Sequence, residues 1–291
     1  MRYAFVHTTH YSYSDAVPLC QNQVHLKPRD SDRQICHAHE LAISPVPFKV
    51  DESRDFFGNP IHFFTLQDRH ELLSITSRGE VELRELPSAA PDDTGPWEKV
   101  VGLPDGPDGM PLDVRQFVYD SPHVALSSEL ADYTRESFPP DRPWLAGVLE
   151  LMSRIHQDFA YDPTATNIST PLETVLVLRR GVCQDFAHLQ LGCLRSLGLP
   201  ARYVSGYLRT TPPAGQPRLI GADASHAWVS AWCPEFGWID FDPTNDVVPS
   251  QGHITVAWGR DYSDVCPING VFIGGGEHSM KVAVDVEPIP S

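Results

Sequence analysis

No stretch of this chain approaches the roughly 18 uninterrupted apolar residues that a membrane span requires, so a membrane-embedded role is not expected. Positive charge is in short supply: 22 Lys and Arg face 38 Asp and Glu, a formal net charge of -16. An acidic chain repels the phosphates of nucleic acid and anionic headgroups, so neither nucleic acid nor a membrane surface is an expected partner. Cysteine is also sparse, six in 291 residues, and in a reducing compartment these are expected as free thiols. Residues 1–10 lack the continuous apolar core of a secretory leader, which makes the cytoplasm the expected location.

Proline and glycine are plentiful, at 27 and 20 residues, and they punctuate the first third of the chain. Short apolar runs at Tyr3–His7, Val24–Leu26, His39–Ile43, Ile61–Leu66 and Leu72–Thr76 alternate with turn residues such as Pro28, Pro45 and Gly58-Asn59-Pro60. With no helical period between them, these runs predict a small N-terminal β-sandwich or barrel over residues 1–86. Cys36-His37-Ala38-His39 invites a metal reading. Strand alternation, however, places Cys36 and Ala38 on one face and His37 and His39 on the other, and no second ligand pair answers it, so no metal is expected. Residues 87–111 are rich in proline and glycine and read as a linker. Residues 112–291 form the second region. Helices are predicted over 129–138 and 143–159, and a third runs from Pro171 to Leu178.

The rest of that region is organised around Arg180-Gly181-Val182-Cys183-Gln184-Asp185-Phe186-Ala187-His188. Phe186, Leu189, Cys193, Leu194 and Leu197 recur at helical spacing, so Cys183 falls in the first turn of a helix. The unpaired N–H groups and the positive dipole end there favour the thiolate, which is the nucleophilic form. Asp185 opposes this and calls for a cationic partner. The bland alternative is a small buried hydrophobe. A metal site using Cys183 and His188 fails on geometry, because five residues are about 500° of helix and leave the side chains some 140° apart.

Downstream, 201–208 reads as a strand, 209–223 as a loop, and 226–232 with 238–242 as a hairpin. If Trp232 faces Trp238, Trp228 faces Asp242, and His226 and Asp242 project from one face as diagonal neighbours. Their Cβ atoms are then within about 7–8 Å, in reach of a hydrogen bond. Asp240 sits one diagonal step further off. Cysteine, histidine and carboxylate together suit nucleophilic acyl transfer: a thiolate attacks a carbonyl, an imidazole moves the proton and a carboxylate orients the imidazole. Taken singly, His226 could be a satisfied half-buried histidine and Asp242 a turn residue before Pro243.

These segments, with Gly198-Leu199-Pro200-Ala201-Arg202-Tyr203-Val204-Ser205-Gly206-Tyr207 and Gly259-Arg260-Asp261-Tyr262-Ser263-Asp264-Val265, resemble the transglutaminase-like core. His7-Thr8-Thr9-His10-Tyr11-Ser12-Tyr13 and Asp55-Phe56-Phe57-Gly58-Asn59-Pro60 are similar to the N-terminal region of the bacterial branch. The resemblance implies an α+β fold, with a β-sandwich followed by a transglutaminase/papain-like core whose nucleophile helix packs on an antiparallel sheet. It also implies Cys183 as nucleophile, His226 as general base and Asp242 as orienting carboxylate. One oxyanion donor is implied at the Cys183 N–H, while Gln184, Tyr161 and Trp144 compete for the second. Trp228, Arg260 and Asp261 are further candidates for contact with substrate, against core packing for the tryptophan and strand bridging for the charges. The calcium dependence of animal relatives has no loop signature here.

The expectation is therefore a cysteine protease, amidase or protein-glutamine acyltransferase that needs no cofactor and acts on a peptide or protein. A binding module that keeps the fold without the chemistry is the alternative. Residues 253–256 and 271–286 are expected to extend the catalytic sheet.

Overall fold

The computed structural model describes residues 1–85, 89–106, 109–210 and 224–290. In chain order it opens with six strands: β1 (Arg2–Val17), β2 (Leu19–Val24), β3 (Gln34–Ser44), β4 (Val50–Arg54), β5 (Pro60–Leu66) and β6 (His70–Leu83). Helices α1 (Trp97–Val101), α2 (Leu112–Arg115), α3 (Ser128–Arg135) and α4 (Trp144–Asp158) follow, then β7 (Ala160–Tyr161), α5 (Leu172–Leu178) and β8 (Arg180–Gly181). The remainder is α6 (Cys183–Ser196), β9 (Ala201–Leu208), β10 (Ala224–Cys233), β11 (Gly237–Phe241), β12 (His253–Gly259), α7 (Tyr262–Val265), β13 (Ile268–Ile273) and β14 (His278–Pro288). The loop expected at 209–223 lies, from residue 211, outside the described residues. Among the described residues, no helix is long and apolar enough to cross a membrane.

Period-two alternation along β1 turns Tyr3, Phe5, His7, Thr9 and Tyr13 inward, as a half-buried strand requires. Two four-stranded sheets, ordered β14-β1-β6-β3 and β13-β2-β5-β4, enclose a core that includes Val17, Val24, Phe64 and Ile75. The second half of the chain, which holds the candidate catalytic residues, is built on a third antiparallel sheet, β11-β10-β9-β12, against which α6 packs. The predicted α+β architecture is therefore present. The two halves are not independent, because Tyr3, Phe5, Val81 and Leu83 belong to the same apolar cluster as Trp144, Phe186 and Tyr203.

Three expectations are corrected. β12 does extend the catalytic sheet, but the stretch from 268 onward does not: β13 pairs with β2 and β14 with β1. The turn is fixed by His25, whose N–H donates to the Pro267 carbonyl and whose Nδ1 meets the Cys266 carbonyl at 3.1 Å. Residues 89–106 and 109–111 are not a free tether, because Val100 and Met110 are in the main core and Leu145 N–H donates to Thr94 Oγ1. Finally, a bulge between Cys36 and Ala38 sets Cys36 opposite Val81 and Ala38 opposite Glu80. The extra residue puts Cys36 and His39, not Cys36 and Ala38, on the inward face. His37 bonds Glu82 and His39 bonds Ser77.

A shared core predicts shared cooperativity. Phe5→Ala removes a ring 5.6 Å from that of Tyr207 and is expected to cost about 3–5 kcal/mol in a single urea transition. A separate early transition for the sandwich, with the catalytic half unaffected, would contradict the common core.

Candidate active site

The turn that delivers Cys183 is built from backbone constraints. β7 and β8 pair in parallel, and Asp162 N–H donates to the Gly181 carbonyl, fixing the chain just before α6. A Cβ on Gly181 would lie 2.5 Å from Asp185 Oδ2, so only glycine fits there. That carboxylate accepts the Val182 N–H at 2.8 Å and the Thr166 hydroxyl at 2.6 Å. Asp185, expected from sequence to oppose the thiolate, is thus committed to tying down the first turn of α6 and answering its orphan donors.

Cys183 is half-buried at the start of α6 and lines a cavity of about 300 Å³ with Gln184 and His226. His226 lies on β10 and lines the same cavity as Cys183, whose sulfur contributes to raising its imidazole. Register follows the hairpin expectation, with Trp232 opposite Trp238 and Val229 opposite Phe241. Asp242, one residue beyond β11, therefore reaches His226, and Nε2 of the imidazole meets its Oδ2 at 2.8 Å. Asp240 is elsewhere engaged, accepting Trp228 Nε1–H at 3.2 Å and facing Arg33.

Asp242 is fully buried, and its two oxygens divide the work. Oδ1 accepts the N–H groups of Thr244 and Asn245, closing the turn after Pro243. Oδ2 meets His226, the Asn245 amide at 2.7 Å and His253 Nε2 at 3.0 Å. The turn reading and the orienting reading of this aspartate are therefore both true, one per oxygen. Burial favours the protonated acid, but the bonds from His226, His253 and Asn245 prevail and hold the carboxyl well below the usual range. Burial likewise works against a charged His226. The bonds and charges of Asp242 and Cys183 outweigh it and raise the imidazole from 6.5 to about 9. At neutral pH the site therefore holds an imidazolium bound to a buried carboxylate, beside Cys183.

Asn245 and His253 have no counterpart in the sequence reading. Among the described residues none bonds the buried His253 Nδ1, while its Nε2 faces Asp242. Trp228 is packed between the two imidazoles, stacked on His226 at 6.2 Å and edge-on to His253 at 5.2 Å. Gly206 makes that possible, since a Cβ there would lie 2.5 Å from the indole. His226, Asp242 and His253 each offer one metal-ligating atom, all within 4.8 Å of one another. Those atoms already bond to each other, so a cation would have to displace both imidazole protons from Oδ2.

The remaining candidates separate clearly. Gln184 is at the cavity. Tyr161 is exposed beside Phe186, outside the cavity lining but near enough for the Cys183 charge to add to burial in raising its phenol. Trp228 is fully buried, so it braces His226 and does not contact substrate. Trp144 is also fully buried, in the core against Phe241. Arg260 is bound twice by Asp264, and Asp261 caps α7 while accepting the His123 N–H. Neither is among the residues that line the cavity.

Residues 3–82 match the bacterial transglutaminase-like N-terminal region, and residues 130–243 match the transglutaminase-like superfamily. An uncharacterized protein of Mycobacterium tuberculosis (strain H37Rv) is 42% identical over 297 residues, covering 99% of this chain and 93% of its own length. A protein-glutamine gamma-glutamyltransferase of Pseudomonas aeruginosa is 35% identical over 125 residues, which are 42% of this chain and 18% of that one. Among solved structures, a candidate cysteine protease from Cytophaga hutchinsonii has a TM-score of 0.77 at 21% identity, covering 100% of this chain and 91% of that one. The last likeness concerns the fold.

His253→Ala removes a charge-assisted donor from a buried carboxylate and is expected to cost about 1.5–3 kcal/mol in urea unfolding; an unchanged midpoint would mean the bond is not formed. pH acts on the two partners in opposite senses. The contribution of His226, raised from 6.5, is complete below 6.5 and is lost as pH rises through about 9. That of Asp242, lowered from 3.8, is complete above 3.8 and is lost as pH falls below it. The stability gap between wild type and Asp242→Asn should therefore be widest between about pH 4 and 6.5 and shrink on both sides. A gap independent of pH would contradict the ion pair.

Proposed function

The chain belongs to the transglutaminase-like superfamily, and from that premise we propose that it cleaves an amide bond of a peptide or protein through an acyl-thioester on Cys183. The observation that carries this reading is the position of His226, which shares a cavity with Cys183 and bonds a buried carboxylate at 2.8 Å. In the reactive state the thiol proton resides on His226, giving a thiolate–imidazolium pair, and the thiolate Sγ attacks the amide carbonyl carbon as the C=O π pair moves onto oxygen. The oxyanion forms near the Cys183 N–H at the N-terminus of α6, and the neighbouring Gln184 is assigned as second donor. As the C–N bond breaks, His226 gives its proton to the departing amine, leaving a thioester and a neutral imidazole. That imidazole then takes a proton from the acceptor as it attacks the thioester carbon. The acid is released, and the thiolate–imidazolium pair is restored.

Water as acceptor gives hydrolysis. A second reading, with an amine as acceptor, is favoured by the Pseudomonas aeruginosa relative, which is named for glutamyl transfer. The two share every residue up to the thioester. They are separated by incubating wild type and Cys183→Ala with casein, with and without a dansylated alkylamine, and reading the products by mass spectrometry. Wild type should yield shortened or deamidated peptides, or amine adducts, and Cys183→Ala should lose that turnover by about a thousandfold or more. Turnover that survives Cys183→Ala, or its complete absence in wild type, would sink the proposal.

A further inference from the structure

The inward row of β1 changes its surroundings along the strand. Tyr3 and Phe5, at one end, are buried in the main core, and Tyr13, at the other, is in the sandwich core. His7, Thr9 and Tyr11, between them, line the cavity that holds Cys183. β14 repeats the pattern in register: Val286 faces Phe5, Val284 faces His7, Val282 faces Thr9 and Met280 faces Tyr11. Val284 and Val286 are 1% and 0% exposed, whereas Val282 and Met280 on the same face are 46% and 56% exposed. Two apolar side chains of a core-facing row are thus left uncovered at the point where the row passes the nucleophile.

The chemistry of the cavity narrows what can cover them. Tyr11, Ile268, Met280 and Val282 form an apolar wall, and His7 with Thr9 forms a floor in which the imidazole Nε2 lies 2.9 Å from the Thr9 hydroxyl. Burial drives His7 down to about 4, so the floor is uncharged at neutral pH. No Asp, Glu, Lys or Arg is among the described residues of the lining. Away from His226, whose charge is committed to Asp242, a charged side chain would surrender its hydration there uncompensated, whereas an apolar one gains by burial. A volume of about 300 Å³ is at the small end of ligand pockets and suits a single side chain.

We propose that strands β1 and β14 of the N-terminal sandwich form the specificity pocket of the enzyme, seating an uncharged, mainly apolar substrate side chain beside the amide that Cys183 attacks. This rests on the thioester reading above and assigns the N-terminal region a place in substrate selection. The sandwich supplies the wall, and α6 and β10 supply the chemistry.

Peptidyl chloromethyl ketones carrying Leu, Glu or Lys next to the reactive ketone test this on the full chain. Iodoacetamide, which has no side chain, measures the thiolate separately, and every rate is divided by it. Cys183 of wild type should be labelled about tenfold faster by the Leu reagent than by the Glu or Lys reagents. Val282→Lys should move the preference about tenfold toward Glu, and Met280→Glu should move it as far toward Lys. Opposite shifts from two variants cannot come from a common loss of folding. Fast iodoacetamide labelling of Cys183 together with reagents that react within about twofold of one another, or variants that leave the ratios unmoved, would overturn the pocket while sparing the thioester reading. Iodoacetamide labelling of Cys183 no faster than of Cys266 would remove the thioester reading and the pocket with it.

Discussion

A single buried oxygen, Oδ2 of Asp242, organises this molecule. Withdrawing a carboxylate from water costs several kcal/mol even after relaxation, and only close donors make it tolerable. Three side chains from different places meet the cost: His226 from β10, Asn245 from the turn after β11 and His253 from the first residue of β12. The loop from β11 must therefore cross to β12, Trp228 must fill the space between the imidazoles, and Gly206 must lack a side chain so that the indole fits. The imidazole held in this way is the one that shares a cavity with Cys183.

Placement of Cys183 depends on a second, smaller carboxylate arrangement. Asp185 clamps Val182 and Thr166 over Gly181, so that α6 begins at Cys183, which lines the cavity. Behind both arrangements lies one apolar cluster spanning the sandwich and the catalytic sheet. That continuity fixes β1 and β14 relative to Cys183 and turns an N-terminal domain into one wall of the site.

Much of this was legible in the sequence because it is local. Helical spacing after Cys183 and the Trp232–Trp238 register each follow from a short stretch, and together they place His226 beside Asp242 and reject Asp240. What escaped is non-local. His253 reaches Asp242 only because β12 lies beyond β9, an order that no alternation pattern encodes. The strands after residue 268 were recognisable as strands, but their partners are more than 200 residues away, at β2 and β1. Cys36 was misplaced by one bulge, which reverses every side chain beyond it. Trp228, Arg260 and Asp261 look functional as residue types, yet the first is buried and the other two are bonded to neighbouring groups, and neither fact can be read from composition.

The central claim is that Asp242 and Cys183 keep His226 charged at neutral pH. Histidine-labelled NMR, following the His226 ring nitrogens from pH 5 to 11 in wild type and in Asp242→Asn, tests it directly. The account predicts an imidazolium that persists through neutrality and titrates near 9 in wild type, falling toward the ordinary 6.5 once the carboxylate is gone. A wild-type His226 that loses its proton near 6.5, or a titration indifferent to Asp242, would contradict it.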